Sequence, residues 1–134
     1  MIDDGRIPDP FLRRFAYQPR RNVEVEPMHR AAQSLLGRHD FRCFETEWPN
    51  RMTSIRTIQE ILVQRVNGAV QIEVQGDGFL YNMVRAIAGT LYQIGRRYWP
   101  EEKMREVLEG MDRREAGPTA PAHGLFMLWV RYNI

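Results

Sequence analysis

An α+β fold, with a small antiparallel or mixed sheet covered by helices on one face, follows from three features of this 134-residue chain. Ile55 to Val66 is rich in β-branched residues, and Asn67-Gly68 joins it to a segment in which Val70, Ile72 and Val74 alternate with Gln71, Glu73 and Gln75, the pattern of a hairpin with one wet face. Apolar stripes at helical spacing stand before and after this hairpin. Runs containing proline and glycine separate the periodic segments, giving the order helix, hairpin, helix, helix, strand, which suits a two-layer sandwich.

Residues 1–24 contain Pro8, Pro10 and Pro19 among charges and a few aromatics, so they read as an extended lead-in to a domain over 25–134. Pro27 suits the first turn of a helix, with Met28, Ala31, Ala32, Leu35 and Leu36 on one face and Gly37 closing it. Phe41 and Phe44 read as core plugs, and Glu45 to Thr53 as an exposed loop. After the hairpin, Leu80, Met83, Val84, Ile87, Ala88, Leu91 and Ile94 define the buried stripe of a helix from about Phe79 to Arg96. Gly76 and Gly78 let the preceding strand turn sharply into it. Pro100 and Glu101-Glu102 open another helix, with Met104, Val107, Leu108 and Met111 inward. Leu125 to Val130 is apolar on both faces, as a central strand requires.

Composition is that of an ordinary globular domain, 43% hydrophobic and 27% charged, without a repeat or a low-complexity tract. No apolar run reaches the ~20 residues that cross a bilayer, and Met1 to Asp4 does not resemble a secretion signal, so no membrane partner is expected. A single Cys43 allows no internal disulfide, and its place between two core phenylalanines marks it as inert; a reducing cytoplasm is the simplest location. His29 and His39 read as surface residues, and no histidine pair has metal-ligand spacing, so neither a metal nor a cofactor is expected. The net charge is +2, yet all but one of the 19 basic residues are arginine, with doublets that include Arg13-Arg14, Arg96-Arg97 and Arg113-Arg114. Arginine's planar fork grips phosphate, but the same residues suit a solvated face, and composition leaves both readings open.

The run GDGFLYNMVRAIAGTL, Gly76 to Leu91, carries one arginine, Arg85, at the shoulder of its apolar stripe. A partly buried guanidinium requires an acceptor, since an unmatched buried charge costs several kcal/mol. Its partner is either a local acid such as Glu73 or Asp77, or an acid from elsewhere. Phe79 and Tyr81 flank the turn and are either core residues or surfaces for stacking on a base. Asp77 reads as a turn residue beside solvent.

GFLYNMVRAIAGTL, the later DRREAGPTAPAHGL from Asp112 to Leu125, and the earlier DFRCF from Asp40 to Phe44 resemble the C-terminal half of the TruA family of tRNA pseudouridine synthases. The likeness runs over nearly the whole chain, from about IDDGRIPDPF onward. It implies half of the pseudouridine synthase fold, isomerisation of uridine to pseudouridine in tRNA, and no cofactor. It further implies that Arg85 pairs with the catalytic aspartate and that Leu125 lines the uracil pocket. Phe79, Tyr81 and His123 become candidates for substrate contact, and Arg13, Arg14, Arg96, Arg97, Arg113 and Arg114 for RNA binding. The family's aspartate belongs to an R-x-D-x-G-V-H segment that nothing in these residues matches, and no match to its active-site tyrosine strand is found either. The resemblance therefore implies a partner, the N-terminal half of the synthase, without which the chain is inactive, and self-association as a homodimer. The alternative is a non-catalytic RNA-binding or dimerisation module derived from the same fold.

Overall fold

A computed structural model describes residues 22–46 and 53–125. Three helices, α1 (Val25–Ala32), α2 (Met83–Gly95) and α3 (Lys103–Gly110), accompany an antiparallel sheet of β1 (Gly37–Asp40), β2 (Ile55–Val66) and β3 (Ala69–Gly76) in the order β1-β2-β3. The α+β class expected from the periodicities is the one observed. Arg13, Arg14, the tip of the loop that follows Thr46, and the strand expected after Leu125 lie outside the described residues.

The hairpin forms where the sequence places it. Asn67 and Gly68 both take positive φ, 51° and 82°, which gives a two-residue turn the right hand for twisted strands. The register runs from Val66 opposite Ala69 to Ile58 opposite Gly76, with one irregularity between Ile58 and Glu60. That bulge shifts the side-chain alternation by one, which is why Ile58, Ile61 and Val63 all face the core despite their uneven spacing. Strand β1 was not foreseen: Gly-Arg-His-Asp has no apolar alternation, and it is a strand only because the first half of β2 pairs with it, Gly37 opposite Ile58 and Asp40 opposite Ile55.

Helix α1 packs on β2, and α2 and α3 pack on α1. Met28, Ala31 and Ala32 of α1 are buried together with Leu35, Phe41, Phe44, Ile87, Leu91, Ile94, Met104 and Val107. Each large apolar side chain so buried contributes roughly 1.5–3 kcal/mol. Phe41 and Phe44 are fully enclosed, as expected, and so is Cys43, whose thiol is pushed up to about 12 by burial.

Several local expectations need correction. Helix α1 begins two residues before Pro27 and tightens into a 3₁₀ turn over Gln33–Leu35, so that Leu36 is extended and exposed. Helix α2 starts at Met83, four residues later than its apolar spacing suggested, because Asn82 adopts a left-handed conformation that no continuous helix accommodates. The turn into α2 thus relies on Asn82; neither Gly76 nor Gly78 has positive φ. Met111 is the left-handed residue ending α3, which swings its side chain outward instead of onto the buried face. His29 is half-buried rather than a free surface residue: its Nδ1 accepts from the Val63 backbone N–H at 3.2 Å, tying α1 to β2. His39 is half-buried, with Nε2 2.7 Å from the Leu36 carbonyl.

Candidate active site

The first turn of α2 and the proline-rich loop of residues 117–121 form one unit around Arg85. Its Nε donates to the Ala120 carbonyl at 2.8 Å and its Nη1 to Asn82 Oδ1 at 2.9 Å. The Ala120 N–H donates in turn to the Arg85 carbonyl at 3.0 Å. The other amide group of Asn82 donates to Thr46 Oγ1 at 3.0 Å, and the Thr46 N–H donates to the Tyr81 carbonyl at 3.1 Å.

Among the described residues no carboxylate pairs with Arg85. The local acids are accounted for otherwise. Asp77 Oδ1 accepts from the Thr57 N–H at 2.9 Å, stitching the turn to β2, and Glu73 is exposed on β3. Both acceptors that hold Arg85 are neutral, so the half-buried guanidinium is fixed in orientation while its charge stays unmatched among the described residues. Among the described residues Nη2 has no acceptor, which leaves its N–H donors for an acid.

The loop is seated directly on helix backbone. A Cβ on Gly89 would lie 1.7 Å from the Pro118 carbonyl oxygen, and one on Gly117 would lie 2.8 Å from backbone atoms of Gly89 and Thr90, so only glycine permits this approach. Thr90 is fully buried and satisfied both ways: its hydroxyl donates to the Ala86 carbonyl at 2.8 Å and accepts from the Gly117 N–H at 2.9 Å. Arg113 holds the loop from the other side through the Gly117 carbonyl at 2.8 Å and Thr119 Oγ1 at 3.0 Å. The loop then enters a 3₁₀ turn, Ala122–Gly124, that delivers Leu125.

Leu125 is 48% exposed, and Phe79 and Tyr81 are 42% and 50% exposed. None of the three is a core residue; large apolar groups uncovered to this degree are available to a ligand or a partner. His123 is exposed on the same 3₁₀ turn as Gly124.

The arginine doublets divide by environment. Arg97 is ion-paired with Glu24, and Arg114 with Asp112 at 3.0 Å. The Arg114 guanidinium holds the Asp112 carboxyl below its ordinary range. Arg96 lies over the Tyr98 ring at 4.7 Å and donates to Gln93 Oε1. It sits past the far end of α2, about 16 Å along the helix from Arg85 at 1.5 Å per residue. Arg113 directs its guanidinium to the loop.

Sequence reasoning missed Asn82, Gly89 and Thr90. The two α2 residues carried a faint signal: a glycine in mid-helix costs roughly 1 kcal/mol against alanine, and a polar neighbour beside the apolar stripe wants a partner.

Comparison with known proteins agrees with these motifs. A family model described as tRNA pseudouridine synthase matches residues 31–133. The tRNA pseudouridine synthase A of Acetivibrio thermocellus is 39% identical over 132 residues, which is 98% of this chain and 54% of that protein. The tRNA pseudouridine synthase A 2 of Clostridium tetani is 40% identical over 92% of this chain and 50% of its own length. The tRNA pseudouridine synthase A of Brevibacillus brevis is 39% identical, with 98% and 54% covered. The chain thus spans about half the length of the curated relatives it matches.

Proposed function

We propose, because the chain belongs to the tRNA pseudouridine synthase family, that it forms the arginine-bearing half of a site converting uridine to pseudouridine in tRNA, the nucleophilic aspartate arriving on another stretch of polypeptide. One observation carries this reading: Arg85 is held by Asn82 and Ala120, both neutral, and no acid pairs with it among the described residues. A guanidinium kept in place with its charge unanswered suits an incoming carboxylate.

The isomerisation breaks the bond between ribose C1′ and uracil N1 and joins C1′ to C5; C5 gives up its proton to solvent and N1 takes one up, so the atoms balance without a co-reactant. The aspartate attacks either C1′ or C6. Pairing with Arg85 keeps that acid ionised and aims it. Leu125 forms an apolar wall for the uracil, and Phe79 and Tyr81 offer faces on which an extruded base can stack. His123 and Arg96 are suited to phosphate. The outer edges of β1 and β3 have no neighbour among the described residues, which supports pairing with the N-terminal half or with a second copy.

The test is tritium release from tRNA labelled at uracil C5. The chain alone is expected to release none, and the chain combined with a segment bearing R-x-D-x-G-V-H to release tritium. Turnover by the chain alone would overturn this division of parts. If the combination binds tRNA but never turns over, the non-catalytic reading stands instead.

A further inference from the structure

Asparagine at the start of a helix ordinarily turns its side chain back to accept from a first-turn N–H, which stabilises the helix. Asn82 makes no such bond. Its φ of 60° and ψ of 11° point the amide away from the helix end, with Oδ1 on Arg85 Nη1 at 2.9 Å and Nδ2 on Thr46 Oγ1 at 3.0 Å. The guanidinium is donor-only, so the oxygen must face it, and the Thr46 hydroxyl oxygen accepts one of the two hydrogens on Nδ2. With the Ala120 carbonyl on Nε, Arg85 is gripped on two edges of its plane, which fixes both its tilt and its rotation.

Asn and Asp have the same shape, and both tolerate the left-handed region. They differ in charge. An aspartate at this position would satisfy the same backbone and the same Nη1, but it would also neutralise the guanidinium before any external acid arrived.

We infer that Asn82 is a positioning residue for Arg85, and that its neutrality is the functional property: it orients the guanidinium while leaving its charge for the reacting acid. This rests on the function proposed above. Thr46 completes the device by holding the amide in the orientation that presents oxygen to Arg85.

The experiment measures kcat, KM for tRNA and melting temperature of the complete enzyme for Asn82→Asp, Asn82→Gly, Thr46→Val and Arg85→Ala. Asn82→Asp is expected to lower kcat about 100-fold, with KM within about twofold and the melting temperature within about 3 °C, because a charge-assisted pair forms at the wrong acid. Asn82→Gly keeps the left-handed backbone and loses the grip on Arg85 together with the bond to Thr46, and is expected to lower kcat about tenfold. Thr46→Val, which frees the amide, gives a smaller loss of the same kind.

Wild-type kcat in Asn82→Asp would overturn the role of neutrality, and wild-type kcat in Asn82→Gly would overturn the positioning role. A loss of kcat matched by a rise in KM or a lowered melting temperature would mark a merely structural residue and overturn the inference too. Arg85→Ala separates this from the parent reading. Undiminished turnover in that variant sinks the assignment of the site itself, whereas abolished turnover beside unaffected Asn82 variants sinks the inference alone.

Discussion

Arg85 and Ala120 hold each other twice, once through paired backbone groups and once through the arginine side chain. A residue in the first turn of a helix is thereby bonded to a loop 35 residues later in the chain, and the orientation of the guanidinium depends on where that loop sits.

Gly89→Ala tests the seat. Alanine improves helix propensity by roughly 1 kcal/mol over glycine, so an unobstructed site would be stabilised. Here the new methyl would meet the Pro118 carbonyl oxygen at 1.7 Å and its carbon at 2.9 Å, and backbone must move. The expected outcome is a net loss of about 1–3 kcal/mol in urea unfolding, the magnitude of overpacking. Turnover of the complete enzyme falls with it, because Leu125 follows the loop. A gain in stability would show that the loop does not rest there.

Arg113 was a candidate for RNA contact on the strength of its doublet, and its guanidinium instead reaches Gly117 and Thr119. Replacing it with methionine should accelerate hydrogen exchange at the Ala120 amide and lower kcat. The salt dependence of tRNA affinity should stay unchanged, whereas loss of a phosphate contact would flatten the log-log slope by roughly 0.7–0.9.

The carboxyl of Asp40 is held below its usual range chiefly by hydrogen bonds from the Arg42 side chain, which outweigh the opposing effect of burial. A carboxyl whose folded value is depressed contributes stability above its unfolded value, near 3.9, and loses it as pH falls through the lower folded value. Asp40→Asn should therefore be less stable than the parent at neutral pH, with the difference vanishing as acid protonates Asp40 in the parent. Unfolding curves at about pH 7 and below about pH 3 measure the two ends. A difference independent of pH would assign the effect to packing.

The parts of this structure legible in the sequence are those that repeat. The hairpin declared itself through alternation and Asn67-Gly68, and the cores of α1, α2 and α3 through helical stripes. Strand β1 did not, since four residues paired on one edge need no pattern of their own. The start of α2 was misplaced because Leu80 keeps helical spacing with Met83 and Ile87 while Asn82, in between, breaks the backbone. Arg85 stood out as a charge beside an apolar face. Its neutral partners did not, because Ala120 acts through its carbonyl, which every residue possesses, and Asn82 fell inside the helix expected from about Phe79 to Arg96. For Arg113 the charge pattern gave no sign that its guanidinium bonds the loop at Gly117 and Thr119.

The contact of Gly117 and Pro118 with Gly89 and Thr90 brings main chain against main chain, and the one side chain that bonds across it, the buried Thr90 hydroxyl, is too short to absorb a change in spacing. Between Arg113 and Ala120 the number of residues is consequently as restricted as their identity. An insertion or deletion there would put one anchor out of phase with the others, and a longer Arg85 or a bulkier Leu125 could not repair the slip.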